Sequence, residues 1–228
     1  MITFVTGTDT GVGKTIATAA LVVRARAQGH SPYVVKPAQT GIKDEVGDLA
    51  TVRRLVGGVP GHVGVELQEP LAPVTAADDE GTALLSLEEQ TTALLARSAW
   101  HDATHVEGAG GILVALGDGF GLLELADAVV ATGETVEFVV VARSGLGTLN
   151  HSMLTVNAIR GHGHPVRGIL IGSIPADPDL ATQHNLTDLP RLTGVPLIGA
   201  IPEGAGSLSP EAFGDAAPTW FTSADTDR

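Results

Sequence analysis

Cysteine is absent from the 228 residues, which removes disulfides, thiolate metal sites, iron–sulfur clusters and a cysteine nucleophile. Aromatic residues make up only 4%, so a core must be built from Val, Leu, Ile and Ala; the hydrophobic content of 43% is ample for one. Positive charge is scarce. Thirteen Lys and Arg stand against 26 Asp and Glu, a formal net charge of −13. That balance argues against nucleic acid or an anionic membrane as the main partner. It does not argue against a nucleotide, whose charge a local loop and Mg²⁺ can neutralise. No uninterrupted apolar run reaches the roughly 20 residues of a membrane span, and the N-terminus enters a strand-like run with no signal-peptide pattern. These absences lead us to expect a soluble, cytoplasmic protein. The length suits one large α/β domain or two small ones, and nothing marks a linker. Residues 1–228 therefore read as one domain, with a polar tail over about 214–228 that frays from Phe213.

What is present is concentrated in one stretch, Thr6-Gly7-Thr8-Asp9-Thr10-Gly11-Val12-Gly13-Lys14-Thr15, between an apolar run at 2–5 and an Ala/Leu/Val-rich run at 16–27. Strand, glycine-rich turn and helix form the context of a phosphate-binding loop. Its glycines let backbone N–H groups curl round phosphate oxygens, and the new helix aims its positive end at them. Lys14 can reach the β/γ oxygens and the Thr15 hydroxyl can ligate Mg²⁺. The nucleotide-binding set on this reading is Asp9, Thr10, Gly11, Val12, Gly13, Lys14, Thr15 and Ile16. The usual motif opens with Gly or Ala where Thr8 stands here. The bland alternative is a glycine-rich turn with an incidental Gly-Lys-Thr, but motif and context agree against it.

Along the chain, 2–5 reads as a buried strand and 15–28 as a helix stopped by Gly29. Tyr33-Val34-Val35 is a short second strand, followed by a loop carrying Lys36, Thr40 and Gly41 at the strand's carboxyl end, where open α/β sheets bind ligands. Lys36 could be a solvated loop lysine; its position favours function. Residues 44–56 look helical with Leu49, Val52, Leu55 and Val56 on one face. Asp48 near its start has, by spacing alone, no claim beyond a surface carboxylate. The Gly/Pro-rich stretch 57–79 reads mostly as loop, and 84–98 as helix with Leu87, Thr91, Leu94 and Leu95 inward. A strand then delivers Glu107 to its end, before Gly108-Ala109-Gly110-Gly111; an acidic residue there can hold Mg²⁺, the alternative being a Glu facing solvent. Residues 122–130 suggest a helix and 136–141 a buried strand. Glycines at 145 and 147 precede a helix to about Arg160, a second and less specific anion site. Strands at 169–171 and 196–201 end in Gly172-Ser173 and Pro202-Glu203-Gly204-Ala205. His151, His162, His164 and His184 form no metal or triad pattern. The fold expected is α/β, a mostly parallel sheet of about seven strands with helices on both faces, whose loops bring cations and Mg²⁺ ligands to one rim.

Four stretches together resemble the dethiobiotin synthetase family of P-loop NTPases. They are Val5-Thr6-Gly7-Thr8-Asp9-Thr10 with Val12-Gly13-Lys14-Thr15, Lys36-Pro37 with Gly41, Val106-Glu107-Gly108-Ala109-Gly110-Gly111, and Gly145-Leu146-Gly147 with Asn150-His151. The match runs from residue 2 to about 202, and the Thr-Gly-Thr-Asp-Thr and Glu-Gly-Ala-Gly-Gly runs together make it specific. The resemblance implies a ligase reaction in which 7,8-diaminononanoate, CO₂ and a nucleoside triphosphate give dethiobiotin, nucleoside diphosphate and phosphate. It proceeds through a carbamate and a carbamic–phosphoric anhydride. By match to the family motif, Lys14, Lys36, Thr10 and Thr40 are the catalytic residues, and Thr15, Asp48 and Glu107 hold Mg²⁺. Thr40 and Gly108, Ala109, Gly110 and Gly111 contact substrate. The family is homodimeric, which implies that Gly147, Thr148, Leu149 and Asn150 hold the substrate's carboxylate from the partner subunit, and it places Pro70 to Pro73 along the cleft.

Two departures carry consequences. Relatives often have Glu where Gly11 stands, which voids any role transferred to that position. They also end the sixth strand in Asn-Asp, the Asn pairing with adenine, where Gly172-Ser173 aligns here. Only backbone near Gly172 and along Pro202, Glu203, Gly204 and Ala205 remains to read the base, so relaxed selectivity between ATP and CTP is expected. Rival readings fit less well. A partitioning or septum-positioning switch ATPase needs a signature lysine where Asp9 stands. A cobyrinate-type amide synthase needs a glutaminase domain with a cysteine, and a small-molecule kinase is the bland fallback.

Overall fold

The computed structural model describes residues 1–222. In the first half of the chain, strand β1 (Ile2–Gly7) leads through helix α1 (Lys14–Ala27) to β2 (Pro32–Gln39), then α2 (Asp48–Leu55), β3 (Gly61–Glu66), α3 (Pro73–Glu80), α4 (Leu87–Ser98) and β4 (Ala103–Gly111). After a small hairpin of β5 (Ala115–Gly117) and β6 (Phe120–Gly121) come α5 (Leu122–Ala131), β7 (Val136–Ala142), α6 (Thr148–Gly161), β8 (Val166–Ile174), α7 (Leu180–Thr193), β9 (Leu197–Pro202) and α8 (Pro210–Ala216). Seven strands form one sheet in the order β3-β2-β4-β1-β7-β8-β9, with every pairing parallel. The chain winds outward from β1 to β3, returns to β4, then crosses to β7 on the other side. The crevice at the carboxyl ends of β1 and its neighbours is therefore a topological switch point, where such sheets bind ligands.

Strands buried on both faces explain the predominantly apolar runs. Phe4 and Phe138 stack at 5.2 Å between α4, α5 and α6 on one face, while Val5, Val139 and Val141 meet α1 and α2 on the other. Helix α1 is Ala-rich because it lies against sheet, α2 and the C-terminal segment together; Ala17, Ala19, Ala20 and Val22 are fully buried. Leu49, Val52, Leu55 and Leu94 are buried as expected.

Four expectations need correction. Strand β2 does not stop at Val35 but runs to Gln39, so Lys36 is a buried strand residue and not a loop residue. Pro37 is tolerated there because pairing with β4 has already ended at Val35–Val106. The stretch 57–79 contains edge strand β3 and most of α3. Its Gly61 and Gly64 are no turn residues: a Cβ on either would lie 2.4 Å from Val34 O or 2.3 Å from Pro37 O. Helix α7, with no counterpart in the sequence reading, is capped by Asp179, which accepts from Thr182 N–H at 2.7 Å. Finally, the segment from Phe213 to Thr222 is packed and not frayed. Phe213 is fully buried, Trp220 meets it edge-on at 5.1 Å, the Arg24 guanidinium lies 4.8 Å over Phe221, and Phe221 bridges to Gly199. Only residues 223–228 of the expected tail lie outside the described residues.

At the amino end of the sheet His105 sits beside Thr3 and Val34, buried, with neither ring nitrogen hydrogen-bonded. Burial, helped by the Arg167 charge, lowers its pKa to about 3 from 6.5. The unfolded chain takes up a proton below pH 6.5 while the folded chain does not until about pH 3, so this stability is complete above 6.5 and lost as pH falls. Between pH 7.5 and 5.0 the loss from His105 is about 2 kcal/mol. In urea titrations at those two pH values, His105→Leu should lose less stability than the parent by about that amount. Equal losses would show that His105 is not the group responsible.

Candidate active site

The loop after β1 is stitched to its surroundings by backbone. Thr8 N–H donates to Val141 O of β7 at 2.9 Å, and Lys14 Nζ donates to Asp9 O at 3.0 Å. Gly13, at φ 94, starts α1 in the left-handed region that favours glycine. Burial and the nearby Lys36 charge lower the pKa of Lys14.

Beneath this loop, four elements deliver one ionic cluster. Lys36 of β2 lies 2.5 Å from Asp48 Oδ2 and 3.2 Å from Glu107 Oε1, and donates to Gly108 O at 2.9 Å. The Thr15 hydroxyl, at the start of α1, is within 2.7 Å of Asp48 Oδ1 and 2.9 Å of Glu107 Oε1. Thr18, one turn on, donates to Glu107 Oε2 at 2.7 Å. Burial alone would lower the Lys36 pKa, but Glu107 and Asp48 outweigh it and hold the ammonium above the ordinary lysine value. Burial likewise opposes the Asp48 carboxylate, yet Lys36 keeps its pKa below the usual range. For Glu107 burial dominates and raises the pKa, with Lys36 as the opposing influence. The cluster holds one fixed cation and two oxygen-rich acids at the root of the loop.

It opens into a cavity of about 650 Å³. Thr10, Gly11, Gly13, Lys14, Thr15, Ile16, Lys36, Thr40, Asp48, Glu107, Ala109 and Gly110 line it, as do Pro70, Leu71, Ala72 and Pro73. Gly108 and Gly111, in β4 on either side of Ala109 and Gly110, do not line it; Gly111 pairs with Gly7 at the end of β1. A second pocket of about 270 Å³ flanks the loop, with Gly11, Val12, Ser173 and Glu203 on its walls. Gly172 is wedged under the loop: a Cβ there would meet Val12 O at 1.9 Å. Pro202 and Gly204 are exposed nearby, whereas Ala205 is buried in the core. Within one chain the second glycine turn is not brought to the cavity. Thr148 is fully buried, and Gly147, Leu149 and Asn150 line neither pocket.

Sequence reasoning missed Thr18, Gln39 and Arg143. Thr18 was legible as the residue a helical turn beyond Lys14 and Thr15. Gln39 caps α2 from another element, its Oε1 accepting from Asp48 N–H at 2.7 Å; no local pattern reveals that. Arg143, 2.6 Å from Asp9 Oδ2, joins two loops 134 residues apart.

A family model described as an AAA domain matches residues 3–211. The chain is similar to a protein of Rhodococcus jostii described as ATP-dependent dethiobiotin synthetase BioD, 48% identical over 97% of this chain and 95% of that one. It is also similar to a Streptomyces coelicolor protein of the same description, 45% identical over 95% of this chain and 90% of that one. Among solved structures, the septum site-determining protein MinD of Pyrococcus horikoshii, complexed with Mg-ADP, aligns with a TM-score of 0.53 at 17% identity, over 96% of this chain and 94% of that one. At that identity the likeness shows the fold alone.

The contact beneath the loop can be tested directly. Gly172→Ala must displace Val12, which should cost about 1–3 kcal/mol of stability and weaken Mg-ADP binding about tenfold or more. Gly161→Ala, with open space around its Cβ position, should leave both within error. Calorimetric titration and thermal melting of both variants read the difference, and an unaffected Gly172→Ala protein would show that the loop gives way freely.

Proposed function

The chain belongs to the ATP-dependent dethiobiotin synthetase family, P-loop enzymes of the ligase class, and from that premise we propose how its own residues perform the reaction. One amine of 7,8-diaminononanoate adds to CO₂, losing a proton and forming a carbamate. The carbamate oxygen attacks the γ-phosphorus; the bond to the β-phosphoryl oxygen breaks, and nucleoside diphosphate leaves. The second amine attacks the carbonyl carbon of the mixed anhydride and loses a proton, phosphate departs with the electron pair, and the ureido ring closes. No protein nucleophile is required. Positioning and charge neutralisation are.

The observation that carries this reading is the Lys36–Asp48–Glu107–Thr15 cluster opening on a cavity beside the phosphate loop. Held above its ordinary pKa, Lys36 is a cation and not a proton acceptor, suited to the carbamate and transferring phosphoryl oxygens. Lys14 shares that task after leaving Asp9 O, and Thr10 and Thr40, both lining the cavity, supply hydroxyl donors. The donor set Thr15 Oγ1, Asp48 and Glu107 is all oxygen and fits Mg²⁺. When bound, that ion supplies neutralisation of β- and γ-phosphoryl charge. Ala109 and Gly110, held by Gly108 and Gly111 on either side in β4, and the Pro70–Pro73 wall confine the diamine.

A homodimer completes the site on this reading. Leu113, Leu146 and Leu154 are 79%, 88% and 62% exposed, apolar side chains that a partner subunit would cover. The partner would bring the amide groups of Gly147, Thr148, Leu149 and Asn150 to the substrate carboxylate, a helix N-terminus facing an anion. Residues 1–228 act as one domain in the cytoplasm, and the formal charge of −13 keeps nucleic acid away. No helix among the described residues is long and apolar enough to cross a membrane. Gly172 carries no side chain to read adenine, which supports the use of CTP as well as ATP.

Phosphate release with Mg²⁺, nucleotide, labelled bicarbonate and diamine, omitting each in turn, tests the reading. Release should need both bicarbonate and diamine, with label in an acid-stable ureido product. Release that ignores the diamine would point instead to a switch ATPase, and phosphorylated product without CO₂ to a kinase. Lys36→Met should lower kcat by about a hundredfold or more; near-parental turnover would remove Lys36 from the mechanism. For the nucleotide, kcat/KM should be comparable for ATP and CTP, and a hundredfold preference for ATP would exclude relaxed selectivity.

A further inference from the structure

The second pocket, about 270 Å³, lies across the phosphate loop from the main cavity, and Gly11 lines both. A nucleotide whose γ-phosphate is at Lys14 must pass over this loop, so the pocket is where the remainder of the molecule goes. Arg143 is the one Lys or Arg among its lining residues. Its Nη2 is 2.6 Å from Asp9 Oδ2, and its Nε is buried with no hydrogen-bond partner. The two side chains are 41% and 51% exposed, and ion pairs that open to water are weak. Phosphoryl oxygens are the better partner for a guanidinium, since they accept two parallel, charge-assisted bonds from its planar fork.

We infer that Arg143 is a nucleotide-binding residue, held in reserve by Asp9 and transferred to the non-reacting phosphoryl oxygens when a nucleoside triphosphate binds. The inference rests on the nucleotide chemistry proposed above and adds a ligand to it. Asp9 keeps a separate task, since its Oδ1 accepts from Thr10 N–H at 2.8 Å. The competing explanation is that the pair only braces the loop.

The two accounts differ in sign. If the pair were a brace, breaking it from either side would weaken nucleotide binding. If Asp9 competes for Arg143, removing the Asp9 charge frees the cation. The experiment is calorimetric titration of Mg-ADP and Mg-CDP into the parent protein, Arg143→Gln and Asp9→Asn, the last retaining an oxygen for Thr10 N–H. Arg143→Gln should weaken both nucleotides about tenfold and equally, because the phosphates are common to both. Asp9→Asn should bind both nucleotides more tightly than the parent, by about twofold or more, because Arg143 is no longer drawn to Asp9. A loss below twofold in Arg143→Gln, a loss confined to one base, or a failure of Asp9→Asn to tighten binding would each overturn the inference. The readout needs no turnover: a parent protein without diamine-dependent phosphate release would sink the proposed function while leaving these affinities measurable.

Discussion

A lysine ammonium with 3% of its residue surface exposed is the constraint around which this site is arranged. Moving such a charge out of water costs several kcal/mol unless partners replace the solvent. Here Asp48, Glu107 and the Gly108 carbonyl do so. Those groups come from α2 and β4, and Thr15 and Thr18 add the start of α1. Satisfying one cation therefore holds two strands and two helices in register at the carboxyl edge of the sheet. The cavity is open where those elements part.

The second constraint is backbone proximity. The phosphate loop rests on β8 with Gly13 and Gly172 in direct contact, and it runs beside β4 through Gly7 and Gly111. Side chains are excluded where the loop meets β8, since a Cβ on Gly13 would lie 2.6 Å from Gly172 O and one on Gly172 1.9 Å from Val12 O. A side chain at Gly172 would strike Val12 O before it could extend from beneath the loop, so the close approach of β8 to the loop fixes glycine at that position.

Much of the fold was legible because its strongest signals are local. Strands β1 and β7 are mostly apolar, broken only by Thr3, Thr6 and Glu137, and α1 follows a glycine turn with a segment rich in Ala, Leu and Val. The Gly29 stop was readable too, at φ 82. The failures share a cause: residues that normally mark loops were serving packing. Gly61 and Gly64 look like turn signals but permit the edge strand to lie close on β2. Pro73 begins a helix and does not break one. The polar C-terminal stretch conceals Phe213, Trp220 and Phe221, which are spaced too irregularly to show a period yet cover α1 and β9.

By itself the sequence determined the chemistry available: a phosphate loop, two lysines, two acids and no thiol. It also determined the family, since order and spacing of motifs survive without coordinates. Only the tertiary structure decided what those groups do to one another. In sequence Lys36 is a loop lysine favoured for function by position alone, and Asp48 a surface carboxylate by spacing; only when β2, β4 and α2 bring them within 2.5 Å of each other do they become partners. Arg143 and Asp9, 134 residues apart, meet for the same reason. Charge and hydrogen-bonding capacity belong to residues, but pKa, burial and partnership belong to distances, and those exist only once the sheet has closed.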